Sequence, residues 1–190
     1  MTIKEILVRA LGKIFSEEID HGYYLLVLTA HHNILTASSS YVPLNFSIKG
    51  QLERPNVLSS VSPDSIEGIT IISSDASYWF KIITNDCFQI RCCSNLMGRS
   101  GATLLEIQRT GEGNWLAKNG MPLDIINEPR VFHNEEEMAL GVFDILADYG
   151  NPYARYQNDD TDAQSHRYLI DAENATLYVD GFCWLSPERF

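Results

Sequence analysis

Asp159, Asp160 and Asp162 fall within the stretch RYQNDDTDAQSH, residues 155–166. Carboxylates at such spacing can ligate a hard cation, share a proton in acid–base work, or present an acidic face to a basic partner. Read as a calcium loop with Asp160 first, the run puts Asp162 third, Gln164 fifth and Asp171 twelfth. Ser165 then stands where glycine makes the sharp turn, and Asp171 has a shorter arm than the bidentate glutamate that closes such loops. The stretch is therefore expected to be an exposed acidic loop, with Tyr153 and Tyr156 beside it as aromatic anchors.

Other residue types that carry chemistry are scattered. His31 and His32 are adjacent, so their imidazoles diverge at a strand end, and no H-E-x-x-H or short Cys/His spacing completes a metal site. His133 and Glu137 stand four apart, a spacing that Asn134 explains as a helix cap. Cys87, Cys92, Cys93 and Cys183 contain no C-x-x-C pair and read as reduced, buried thiols. Ser100 in GRSGA lacks the G-x-S-x-G elbow of a nucleophilic serine. None of the lysines has Asp or Glu two positions before it, so the acidic-x-Lys triplet of a carboxylate–metal nuclease is missing.

The segment QRTGEG has the spacing Gln-x-x-Gly-x-Gly, in which Gln108, Gly111 and Gly113 resemble the pyrophosphate-binding loop of acetyltransferases that use acetyl-CoA. That resemblance implies a helix opening at the glycines, whose N–H groups hold phosphate. NWLAKNGMP follows instead, with Asn119, Gly120 and Pro122 as breakers, so a hairpin turn is the expected structure.

Charge narrows the function class. The chain has 25 acidic and 14 basic residues, a formal net charge of -11. Between Glu112 and Asp180 there are fourteen acidic residues against four basic ones, which places ten of the eleven excess charges in that segment. Such a field repels nucleic-acid phosphate and anionic membranes and draws in basic partners. The expectation is an acidic protein-binding module, of the inhibitor or immunity type, that masks a basic partner such as a toxin. Glu135, Glu136, Tyr153, Tyr156, Asp159, Asp160 and Asp162 are its candidate contacts, with no cofactor, metal, nucleic acid or membrane expected. The alternative is a small-ligand enzyme, its only motif-backed form an acyl-CoA-dependent transferase.

The elements that must position these residues follow from periodicity. Ile3, Ile6, Leu7, Ala10, Leu11, Ile14 and Phe15 recur at helical spacing after Thr2, a candidate N-cap, which predicts an amphipathic helix over 2–16. YYLLVLTA reads as a buried strand, too short to span a bilayer. Residues 36–66, with Pro43, Pro55 and Pro63, read as short strands and loops, Leu44, Phe46, Ile48 and Leu52 alternating as in a strand. GITIIS, SYWFKII, CFQIRCCS, TLLEIQRT and NWLAK predict an antiparallel sheet turning at TND, GEG and NG. Asn134 and Glu137 form a capping-box-like start to a helix over 134–149, which Gly150 and Pro152 stop. RYLID and ATLYVDGFCW read as a terminal hairpin around AEN. Lys4, Glu5, Arg9 and Lys13 break the apolar pattern that a signal peptide needs, so a cytoplasmic chain is expected. Altogether the sequence predicts one α+β domain over 1–190: an antiparallel sheet packed with an N-terminal helix and a second helix near 134–149, then a C-terminal hairpin.

Overall fold

The computed structural model describes residues 1–16, 22–38, 45–55, 58–73, 76–92, 102–120, 125–149 and 166–187. Helix α1 (Ile3–Ser16) starts on a reciprocal cap: Thr2 Oγ1 accepts the Glu5 N–H at 3.3 Å, and Glu5 Oε2 accepts the Thr2 N–H at 2.5 Å. Its spacing buries Ile3, Ile6, Leu7, Leu11 and Phe15 on one face.

Two sheets follow. The larger holds eight strands in the order β2 (Ile34–Leu35), β1 (Tyr24–Thr29), β4 (Ile66–Ile72), β5 (Ser77–Thr84), β6 (Cys87–Cys92), β7 (Ala102–Arg109), β8 (Trp115–Asn119) and β9 (Arg130–Phe132), every neighbouring pair antiparallel. The turns at TND and GEG fall where the sequence places them, and Asn119 and Gly120 end β8. Asn119 Oδ1 accepts the N–H groups of Ile125 and Ile126, both at 2.9 Å, and its Nδ2 donates to the Ile126 carbonyl at 2.7 Å. Gly120 is required there, because a Cβ would overlap the Thr103 carbonyl.

The smaller sheet runs β12 (Phe182–Leu185), β11 (Thr176–Val179), β10 (Tyr168–Asp171) and β3 (Phe46–Lys49), with β3 parallel to β10. The expected hairpin around AEN is present as β10–β11. The sequence predicts one continuous segment over 175–184, whereas Asp180 (φ 52°) and Gly181 (φ 81°) break it into two strands. Two consecutive positive φ values make the tight turn whose twist matches a hairpin, so Asp-Gly was the signal for it.

β1 shows how the layers stack. All six of its residues are buried. Leu25 and Val27 pack with α1 and α2 (Glu135–Tyr149) in one core, while Tyr24, Leu26 and Leu28 pack against the small sheet in a second. A strand buried on both faces loses the polar alternation of a half-exposed one, which is why YLLVLT is continuously apolar. Helices, large sheet and small sheet thus form three layers. Polar links tie the two sheets: Trp184 Nε1 donates to Thr70 Oγ1 at 3.2 Å, and the Tyr168 hydroxyl donates to the Ala76 carbonyl at 2.7 Å. Phe46 and Tyr168 meet edge to face at 4.6 Å within the small sheet's core.

Beyond the small sheet, β6 keeps clean alternation: Phe88, Ile90 and Cys92 are buried, and Cys87, Gln89 and Arg91 line the opposite, partly open face. Glu106 on β7 closes a polar ladder across it, with Lys118 Nζ at 3.2 Å and Gln89 Nε2 at 3.3 Å. No helix among the described residues is long and apolar enough to cross a membrane.

Candidate functional site

Helix α2 is built as its first residues dictate. Asn134 Oδ1 accepts the Glu137 N–H at 2.8 Å, and Glu137 Oε2 reaches back to the His133 N–H at 2.5 Å. The spacing of His133 and Glu137 therefore serves helix initiation. Met138, Val142, Ile145 and Leu146 face the core. Gly141 lets Phe132 of β9 lie against the helix, since a Cβ there would overlap the ring.

Glu135 is half-buried and lines a groove of about 350 Å³ between the helices, together with Ile6, Arg9, Lys13 and Asn134. Glu136 is exposed and receives the Lys13 ammonium at 2.6 Å. That hydrogen bond, then the charge behind it, holds the Glu136 carboxyl below its ordinary range. Both side chains are about two-thirds exposed (64% and 62%), so the pair orients the helices more than it stabilises them.

The outward side of α2 extends the acidic surface beyond the two glutamates. Glu136, Leu140, Asp144 and Asp148 recur every four residues and are all exposed, Leu140 by 44%. Sequence reasoning stopped at the helix start and missed the last three, although their i, i+4 spacing was legible. The helix contains no basic residue at all. Asp144 and Asp148 are a like-charge pair four apart, and Asp148 sits in the last turn, where the helix dipole is already negative. Helix stability alone would not select that arrangement.

Tyr153, Tyr156, Asp159, Asp160 and Asp162 lie outside the described residues, as do Ser100, Cys93 and the calcium-loop positions before His166. Within them, His31 and His32 occupy the β1–β2 turn, His32 at φ 58°, and both are exposed. Cys87 and Cys92, at the two ends of β6, and Cys183 on β12 are reduced thiols, but of the three only Cys92 is buried as expected, because Cys87 and Cys183 lie on partly open strand faces. Burial, and then the neighbouring Glu106 carboxylate, push the Cys87 thiol up, so it is a poor nucleophile. His166 is buried, with Nδ1 at 2.6 Å from Asp180 Oδ2. Gly111 and Gly113 turn the β7–β8 hairpin, closed by the Thr110 N–H to Asn114 carbonyl bond at 2.7 Å, and β8 follows directly, so no helix N-terminus is offered to a pyrophosphate. Among the described residues, no group of three or more His, Cys, Asp or Glu is arranged to hold a metal ion.

The chain matches no protein-family model, no curated protein and no solved structure.

Proposed function

We propose that this protein is an acidic, cytoplasmic binding module that docks on a basic partner and masks it, in the manner of an inhibitor or immunity protein against a toxin. The observation that carries the reading is the outward stripe of α2, where Glu136, Asp144 and Asp148 surround the exposed Leu140 on a helix without a single cation. An apolar residue ringed by like charges supplies a contact that loses water on docking, while the carboxylates accelerate encounter and pair with arginine or lysine. The excess negative charge between Glu112 and Asp180 extends the same field, and Asp159, Asp160 and Asp162 with Tyr153 and Tyr156 contribute to it as candidate contacts. Glu135 and Glu136 belong to the margin of this surface, Glu136 exchanging Lys13 for the partner's cation.

The test is capture of partners by tagged protein from its own cell extract at low and moderate salt, followed by kinetics with each purified partner. The expected partner is basic, dissociates as salt rises, and associates at least tenfold more slowly with an Asp144→Lys/Asp148→Lys variant. A partner whose on-rate is indifferent to that reversal and to reversal of Asp159, Asp160 and Asp162 overturns the proposal.

A further inference from the structure

The ladder between β4 and β5 holds only three residue pairs, Ile72–Ser77, Ile71–Tyr78 and Thr70–Trp79, next to the turn that joins the strands. Both strands continue past it. Ile66, Gly68 and Ile69 stay paired with β1, and Phe80, Lys81, Ile82 and Thr84 with β6, but the two strands are not paired with each other there; Glu67 and Ile83 are the residues skipped at the register shifts. A register shift lies on each flank at this level, between Leu28 and Thr29 on the β1 side and between Ile82 and Thr84 on the β6 side. Bulges bend and twist the strands that carry them, which turns β4 and β5 apart and forks the sheet.

A cleft of about 580 Å³ occupies the fork, lined by residues that include Lys4, Glu67, Gly68, Trp79 and Lys81. Two of its polar groups show what the divergence leaves behind. The Ile66 carbonyl takes a side-chain donor, the Lys4 ammonium at 2.8 Å. Glu67 Oε2 is buried and has no hydrogen-bond partner, and a buried carboxylate oxygen left in that condition is costly.

We propose that the fork is a binding site for an extended peptide segment carrying a lysine or arginine. The segment enters between β4 and β5, antiparallel to one and parallel to the other, and its main chain bonds to both separated edges. Residues 66–69 span about 13 Å, enough for four peptide residues. The basic side chain reaches Glu67 Oε2, and the Trp79 ring, half-buried beside Trp184, covers the stem of that side chain. Asp64 at the rim reinforces the preference for a cation, while Lys4 and Lys81, which also line the cleft, disfavour a second basic residue in the same segment. The site lies apart from the acidic stripe of α2 and does not depend on the function proposed above.

The probe is the capped pentapeptide acetyl-Thr-Val-Lys-Val-Thr-amide, titrated into the full-length protein and followed by amide NMR shifts and hydrogen exchange. In the unbound protein, alternate amides of 66–69 and 80–82 should exchange quickly, and saturating peptide should protect them. Glu67→Gln should weaken binding about tenfold without lowering the melting temperature, and replacing the peptide's lysine by glutamate, or N-methylating its central amides, should abolish binding. Slow exchange at these amides before peptide is added means the fork is closed in solution and overturns the proposal. So does a failure of millimolar peptide to protect them, or binding that survives N-methylation.

Discussion

His166 Nδ1 lies 2.6 Å from Asp180 Oδ2, and the other oxygen of that carboxylate accepts the Arg167 N–H at 2.9 Å. One side chain, at φ 52° in the β11–β12 turn, thereby fixes both the turn and the start of β10. Asp180→Ala removes both acceptors and puts a less tolerant residue in the left-handed region, and should cost about 1–3 kcal/mol. Asp180→Asn keeps an acceptor and the Asn-Gly turn preference, so it should cost less than half as much. Equilibrium urea denaturation of the two variants separates them; equal losses would mean that the hydrogen bonds do not stabilise the turn.

Gly141 sets helix propensity against packing. Alanine in a helix interior is favoured over glycine by about 1 kcal/mol, but at this position its Cβ overlaps Phe132. Overpacking costs about 1–3 kcal/mol, so Gly141→Ala should lower the melting temperature despite better propensity. Adding Phe132→Leu should recover part of the loss, as differential scanning calorimetry of the single and double variants would show.

The Glu106 carboxyl is held below its ordinary value first by its hydrogen bond from Lys118 and then by that from Gln89. A carboxylate whose folded-state value is depressed contributes stability that is complete above its unfolded value and is lost as pH falls through the folded one. The wild-type advantage over Glu106→Gln should therefore be constant near neutrality and shrink below about pH 4.5. Melting temperatures of both proteins from pH 7 to pH 3 check the sign; an advantage that grows on acidification would contradict it.

Asp144 illustrates a residue kept against its helix. Asp144→Lys removes its repulsion from Asp148 and sets a cation nearer the negative end of the dipole, which should stabilise the isolated protein by about 0.5 kcal/mol. Thermal denaturation at low and high salt tests this, the gain diminishing as salt screens it. A variant that is more stable yet slower to bind would separate what the fold needs from what the surface does.

Thr70→Val keeps shape and removes the oxygen that receives the Trp184 indole N–H. Leaving that donor buried should cost about 1–3 kcal/mol and loosen the small sheet from the large one. Faster hydrogen exchange confined to β10, β11 and β12 is the expected signature, against uniform loss if the two sheets unfold as one.

The sequence alone determined the elements whose signals are local. Helical spacing from Ile3 to Phe15, the Asn134–Glu137 cap and the alternation in CFQIRC each depend on residues within one or two turns or one strand, so α1, α2 and the middle of the sheet could be read directly. The same spacing rule contains the acidic stripe Glu136, Asp144 and Asp148, which a longer look along the helix would have found. Tertiary structure decided what local pattern does not encode. That β3 lies parallel to β10 is a pairing across more than a hundred residues, and Phe46 carries no mark of it. That β1 is buried on both faces divides the strands into two sheets, whereas an apolar run such as YLLVLT fits a buried strand in one sheet equally well. The fork between β4 and β5 lies between register shifts on the flanking ladders, a cooperative geometry in which Glu67 Oε2 becomes buried without a hydrogen-bond partner only after four strands have taken their places.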